Sequence, residues 1–421
     1  MISTVTGRVC DRFQASLGDE RSGEPIYVRL KALLFHLVCF VGRVAGRPAG
    51  GPVDAERITN ILIVALGGIG DALRIFPVMD ALHSQNPVAR MTVLISCPPD
   101  ALSLAPSAGA ITAVVRTTAG GSPRRLGAKL ALIRSLRRQR FDLIVDPSRG
   151  EGFIENDIRS FLIGAPVRVG FYKSGAGFLH THAVEFSDSA NLVEQNLALL
   201  DQIGIRPASR EFTMRVPADA ERTARAIAGG DGSAEFTIAI HPGAKEPTRR
   251  WPAASYAALA ERILKHGRTR ILVLGEAAER AAYGELFASF DPSRLVDCVG
   301  RTSLLEVAAL IRSAGLFIGN DSSLLHIAIA LRTPCLALFG PTSAKQLLPA
   351  APMFRSVDSC RWIREEGRTL PCYMHQPIFI SPPCVARPCI TAISVDDAWA
   401  AIRPLLPPQP GSTQGGPVLA S

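Results

Sequence analysis

The stretch LIVALGGIGDALRIFP, Leu62 to Pro77, runs from an apolar strand through Gly67, Gly68 and Gly70 into Asp71. Glycine turns that open a helix attract anions, because unpaired backbone N–H groups and the helix dipole both favour negative charge. A carboxylate at position 71 opposes that use. The dinucleotide fingerprint also fails, since Gly68-Ile69-Gly70 is followed by Asp71-Ala72-Leu73. The second strand closes on Ser96-Cys97-Pro98, where a ribose-binding acid belongs. No Gly-Lys-Ser/Thr follows the glycines, which excludes a Walker loop. Read alone, Asp71 is a helix cap or first-turn acid worth about 1 kcal/mol.

The residues suited to phosphate lie in the second half. HPGAKEPTRRWP, His241 to Pro252, places the small residues Gly243 and Ala244 beside Lys245, Arg249 and Arg250. Small residues let backbone N–H groups approach a diphosphate, and nearby cations neutralise it. GNDSSLLHIAIAL, Gly319 to Leu331, adds Asp321, Ser322 and Ser323 at a helix start, with His326 one turn inside. Singly, the serines read as caps and His326 as a satisfied core histidine. Together they make a second anion-facing helix N-terminus, while the first half presents an acid.

Strands and helices in alternation must carry these turns. The first half reads as strand Asn60–Leu66, helix Ala72–Ser84, strand Arg90–Ser96, a helix within Leu126–Gln139, and strand Phe141–Asp146. The second reads as a strand from Glu235, helix Pro252–Gly267, strand Arg268–Glu276 and helix Ser303–Ala314, then strand Gly315–Asp321, helix Ser323–Arg332 and strand Pro334–Pro341. Continuous apolar strands between helices imply parallel sheets covered on both faces, with ligands outside the carboxyl ends of the strands. The expected division is an N-terminal extension over 1–57, one doubly wound unit over 58–225, a second over 226–405, and a disordered tail over 406–421.

The 421 residues are 47% hydrophobic and 20% charged, a globular balance. A net charge of +9 suits a membrane surface or a phosphorylated substrate and does not require nucleic acid. Nine scattered cysteines argue against a secreted disulfide framework and for a reducing cytoplasm. Cys360, Cys372, Cys384 and Cys389 fall close together without a Cys-x-x-Cys pair, so free thiols are expected over zinc. The apolar run within YVRLKALLFHLVCFVGRVAG, Tyr27 to Gly46, falls well short of the roughly 20 residues that span a bilayer. It reads either as a basic amphipathic helix on a membrane or as an extra helix packed on the domain. In the segment after Ser122, Leu126, Leu130, Ile133 and Leu136 form a core-facing stripe. Arg124, Arg125, Lys129, Arg134, Arg137, Arg138 and Arg140 surround it. That basic surface is a solvated face or a docking face for anionic lipid.

Six segments in order resemble the bacterial heptosyltransferases of glycosyltransferase family 9, over about Ile58 to Ser343. They are GGIGDALRIFPVMDALHSQNPVARMTVLI, FDLIVDPSRG, APVRVGF, NLVEQNLALLDQIGI, HPGAKEPTRRWP and IGNDSSLLHIAIALRTPCLALFGPTS. The resemblance implies an α/β protein of GT-B fold, two Rossmann-like doubly wound domains facing across a cleft. It implies inverting transfer of a heptose from a nucleotide-sugar donor, ADP-heptose in the best-known case, to the inner core of lipopolysaccharide. The acceptor is then a lipid-linked saccharide met at the cytoplasmic face of the inner membrane, with the two basic helices as peripheral contacts.

Carried over by residue, the family's acid after the glycine turn falls on Asp71, the expected general base, with Gly67, Gly68 and Gly70 making room for the acceptor. The family's lysine before Trp-Pro falls on Arg249, expected to hold the donor phosphates beside Gly243, Ala244 and Lys245. The acid of its Asn-Asp-Thr-Gly run falls on Asp321, near donor sugar and phosphate, and Ser322-Ser323 replace Thr-Gly. The downstream histidine matches His326, and Glu279 is the candidate for the donor ribose. With no Asp-x-Asp motif, no metal or other cofactor is expected. The alternatives are a relative acting on another sugar and surface glycan, a nicotinamide- or epimerase-type enzyme, and a non-catalytic binding protein.

Overall fold

The computed structural model describes residues 37, 40–48, 50–117, 126–148, 154–173, 175, 177–229, 236–288, 290–358 and 388–408. Its strands form two six-stranded parallel sheets. The first contains β1 (Asn60–Ala65), β2 (Arg90–Ile95), β3 (Ile111–Arg116), β4 (Leu143–Asp146), β5 (Val167–Tyr172) and β6 (His182–Glu185), in spatial order 3-2-1-4-5-6. The second contains β7 (Phe236–His241), β8 (Thr269–Val273), β9 (Leu295–Asp297), β10 (Leu316–Asn320), β11 (Cys335–Phe339) and β12 (Phe354–Asp358), in order 12-11-10-7-8-9. Each order reverses beside its first strand, between β1 and β4 and between β7 and β10. A crevice opens at the carboxyl ends at each such point. The expected pair of doubly wound Rossmann-like units is present.

The connecting helices are α1 (Ile69–Leu73), α2 (Phe76–Gln85), α3 (Leu126–Arg138), α4 (Ile154–Ile163), α5 (Leu192–Asp201), α6 (Ala218–Ala228) and α7 (Ala253–His266). They continue with α8 (Gly284–Ala288), α9 (Leu304–Ser313), α10 (Ser323–Ala330), α11 (Ala344–Leu347), α12 (Pro388–Thr391) and α13 (Val395–Ile402). The single helix expected over Ala72–Ser84 is two. Pro77 in the first turn of α2 has no N–H for the Leu73 carbonyl, so α1 stops and Arg74 becomes its C-cap. α6 runs through the boundary expected at 225/226 and packs on α9, with Arg312 paired to Glu221.

One apolar cluster joins the two sheets. α10 packs on α1, and Leu73 and Leu325 are both fully buried, each worth about 2 kcal/mol. α13 returns onto α7, where Arg262 pairs with Asp396 at 2.5 Å and stacks over Trp399 at 4.8 Å.

Residues 40–45 are helical, and Gly42 is buried against the Gly175 carbonyl and Phe178. Leu37, Phe40, Val41 and Val44 nevertheless face solvent. The N-terminal helix thus packs on the first unit through its glycine and still displays apolar side chains. The stripe expected on α3 is also divided, with Leu136 buried and Leu130 exposed next to α4, whose Phe161 and Leu162 are exposed too. No described helix is long and apolar enough to cross a membrane. Cys389 is buried in α12. Cys360, Cys372, Cys384, Arg124, Arg125 and residues 409–421 lie outside the described residues.

Candidate functional site

β1 ends at Ala65, and the chain turns through Gly67 and Gly68 into α1. Gly67 has φ +142°, and a Cβ there would lie 2.3 Å from Asp71 Oδ2, so only glycine fits. Ser96, just past β2, braces the turn. Its hydroxyl accepts from the Gly67 N–H and donates to the Gly67 carbonyl, both at 2.9 Å. Asp71 Oδ2 accepts from the Gly68 N–H at 2.8 Å, so the acid does cap its helix. Oδ1 meets Arg74 at 2.5 Å, yet the side chain stays 38% exposed. With Arg74 it lines an open recess walled by Val64, Phe171, Phe186 and Asn196. Capping and an accessible carboxylate coexist.

In the other unit β7, β8 and β10 end together. Asn320, fully buried, is a residue the sequence reading passed over. Its amide donates to the carbonyls of Pro242 and Gly243, at 2.6 and 3.2 Å. Its oxygen accepts from the Trp251 N–H and the Tyr256 hydroxyl, both at 3.1 Å. All four hydrogen-bonding positions of the amide are used, and the turn carrying Gly243 is fixed against the residues after Arg249. The signal was a polar residue ending the otherwise apolar strand LFIGN.

Arg249 pairs with Asp321 at 3.0 Å, and Asp321 is buried. Arg250 turns back to donate to the Ala244 carbonyl at 2.7 Å, so it braces the turn. Lys245 is exposed. Ser322 does not cap α10 with its side chain, as the sequence suggested; its hydroxyl instead meets His241 Nδ1 at 3.0 Å. Ser323, half-buried, begins α10. His241 Nε2 faces Glu279 Oε2 at 3.4 Å, and that oxygen also accepts from the Glu276 N–H at 2.9 Å. Burial works to raise the Glu279 carboxyl, but the hydrogen bond and charge of His241 outweigh it and hold the group below its ordinary range. A Cβ on Gly243 would lie 1.9 Å from Glu279 Oε1, which places the acid against the turn.

His326 joins the two units. Gly70 lies so close that a Cβ would come within 2.5 Å of its ring, and its Nε2 lies 2.9 Å from Arg74 Nη1. Burial, then the Arg74 charge, drives its pKa down to about 3, against the pull of Asp321 and Asp71. The ring is therefore neutral. A guanidinium only donates, so Nε2 accepts and the ring proton sits on Nδ1. The structure thus brings Asp71, Arg249 and Asp321 each within electrostatic reach of His326 and sets Glu279 by the neighbouring turn.

Among the described residues, Asp146, Asp157 and His180 bring possible ligand atoms within 4.8 Å, close enough for a divalent cation. Protein groups already engage them: Ser160 donates to Asp146 at 2.6 Å, and His180 Nε2 meets Asp157 at 3.1 Å. Burial pushes the Asp157 carboxyl up to about 6, with His180 pulling it back. The cluster ties β4, α4 and the loop before β6 together.

The sequence profile of glycosyltransferase family 9 (heptosyltransferase) matches residues 129–370, more than half of the chain. The chain belongs to glycosyltransferase family 9. Lipopolysaccharide heptosyltransferase 3 of Escherichia coli is 28% identical over 282 residues, 65% of this chain and 81% of the relative. A family 9 glycosyl transferase from Veillonella parvula DSM 2008 shares the fold with TM-score 0.62 at 16% identity, covering 85% of this chain and 99% of that one. The ADP-heptose lps heptosyltransferase II of E. coli does so with TM-score 0.61 at 20% identity, covering 82% and 98%. This family 9 protein is a glycosyltransferase, and the nicotinamide, epimerase and binding-protein readings are superseded.

Proposed function

We propose that this enzyme moves a heptose from ADP-heptose to the inner core of lipopolysaccharide, with inversion at the anomeric carbon. The observation that carries the reading is an accessible carboxylate, Asp71, on the first unit and the Arg249–Asp321 pair on the second, each within electrostatic reach of the one buried ring of His326. The acceptor hydroxyl enters the recess beside Asp71, gives up its proton to the carboxylate and attacks the anomeric carbon. The bond from that carbon to the diphosphate oxygen breaks, and ADP departs with the electron pair. General-base assistance of this kind is worth roughly 10²–10⁴-fold.

Arg249 and Lys245, the backbone at Gly243 and Ala244, and the start of α10 at Ser322 and Ser323 receive the charge that grows on the diphosphate. Asp321 orients Arg249 beside the donor sugar. Glu279, kept ionised by its neighbours, accepts from the donor ribose hydroxyls. None of these roles calls for a metal ion. The unit of β1–β6 takes the acceptor, and the unit of β7–β12 takes the donor.

The same reading places the enzyme on the cytoplasmic face of the inner membrane. Leu37, Phe40, Val41 and Val44 beside Arg43, and Leu130, Phe161 and Leu162 beside Arg134 and Arg138, combine exposed apolar and basic groups suited to anionic lipid. The test is turnover of ADP-heptose with a heptose-deficient core acceptor. Asp71→Asn should bind ADP normally by calorimetry and lose at least roughly 100-fold in transfer. Near-normal transfer by that variant rejects the base. Turnover of a different nucleotide sugar with none of ADP-heptose rejects the donor.

A further inference from the structure

A base serves this reaction only if its carboxylate is held toward the acceptor and brought to the donor in register. Arg74 is the side chain placed to do both. It stands where Pro77 ends α1, and its side chain is only 9% exposed. Nη2 contacts Asp71 Oδ1 at 2.5 Å, and Nη1 donates to His326 Nε2 at 2.9 Å. Its own carbonyl accepts from Asn196 at 3.2 Å, which pins the backbone to α5. Asp71 lies on the first unit and His326 on α10 of the second, the helix that starts beside Asp321 and its partner Arg249.

We propose that Arg74 is a positioning residue for transfer, fixing the Asp71 carboxylate and tying it to the donor-side helix through His326. This rests on Asp71 as the base, and adds the residue that aligns that base with the donor. The fork suits the role, because Asp71 and His326 each take their own guanidinium nitrogen, and a lysine's three N–H donors radiate from a single, shorter-reaching atom. A lysine in place of Arg74 therefore cannot occupy both donor positions at once. The neutral ring of His326 suits the arrangement, since a charged imidazole would offer Arg74 no lone pair at either nitrogen.

The test compares wild type with Arg74→Lys, Arg74→Met, His326→Leu, the Arg74→Met/His326→Leu double variant and Asp71→Asn. The measurements are kcat, both KM values, the pH profile of kcat/KM, and ADP affinity by calorimetry. Arg74→Met should lower kcat roughly 10–100-fold by misplacing the base, with ADP affinity nearly unchanged. Losing the adjacent cation raises the affinity of Asp71 for its proton, so the acid limb moves to higher pH by about one unit. Arg74→Lys should restore the acid limb but only part of kcat. The double variant should cost clearly less than the product of its single effects, because both singles break one bond.

A folded Arg74→Met enzyme with wild-type kcat and acid limb overturns the proposal, and strictly multiplicative effects overturn the link to His326. If Arg74→Met does not fold, Arg74→Lys with wild-type kcat overturns it instead. Wild-type transfer by Asp71→Asn would strike at the base itself, an outcome separate from any result at position 74.

Discussion

Replacing Arg249 by methionine separates two things a cation beside a buried acid can do. The Asp321 side chain is 4% exposed and meets Arg249 at 3.0 Å, and Arg249 itself is 22% exposed. Removing the guanidinium leaves a buried carboxylate without its ion partner, which typically costs about 3–5 kcal/mol. Arg249 keeps part of its side chain in water, so the low end applies, about 3 kcal/mol, and the melting temperature should fall by several degrees. Adding Asp321→Asn to the same chain removes the uncompensated charge and should return most of that stability. ADP affinity should behave differently. A charge-assisted hydrogen bond to phosphate is absent from both variants, so affinity falls roughly 10–100-fold in the single variant and stays low in the double. Scanning calorimetry and titration calorimetry with ADP read the two quantities separately. Recovery of ADP affinity together with stability in the double variant would refute the phosphate role and leave Arg249 as the neutraliser of Asp321.

Gly243→Ala should lower ADP affinity at least roughly tenfold, because its Cβ would fall 1.9 Å from Glu279 Oε1 and either the acid or the turn must move; titration calorimetry with unchanged affinity would count against a donor site here. Asp157 carries a pH signature. Its carboxyl rises from 3.8 to about 6, chiefly through burial, so its contribution to stability is full below pH 3.8 and is lost as pH rises through about 6. The loss amounts to about 3 kcal/mol. Asp157→Asn keeps an acceptor for His180 without the charge, so its melting temperature should gain on wild type from about pH 4 to 7, and a constant difference would refute the assignment. Changing Phe40 and Val44 together to serine should weaken sedimentation with anionic vesicles, since both are exposed apolar side chains; binding equal to wild type would remove the N-terminal helix from the membrane contact.

Much of this enzyme is written locally. β1, β7 and β10 are legible as apolar runs because both of their faces are buried, and the turns after them are legible because glycine, acid and cation stand at fixed short spacings. β3 and β12 left little trace, since edge strands with mostly exposed side chains need no apolar pattern. The break between α1 and α2 was visible in Pro77, although its consequence for Arg74 was not.

Partner choice belonged to the tertiary structure. Arg74 and His326 are 252 positions apart and meet only because α10 packs on α1. Within the second unit, Ser322 turned to His241, Arg249 found Asp321, and Asn320 locked the Gly243 turn because β7 and β10 lie side by side in one sheet. A hydrogen bond is decided by ångströms and angles between groups far apart in the chain that only the assembled fold brings together. Residue type and spacing settle which groups are available, and the packing of strands within each unit and of α10 on α1 between them settles which face each other.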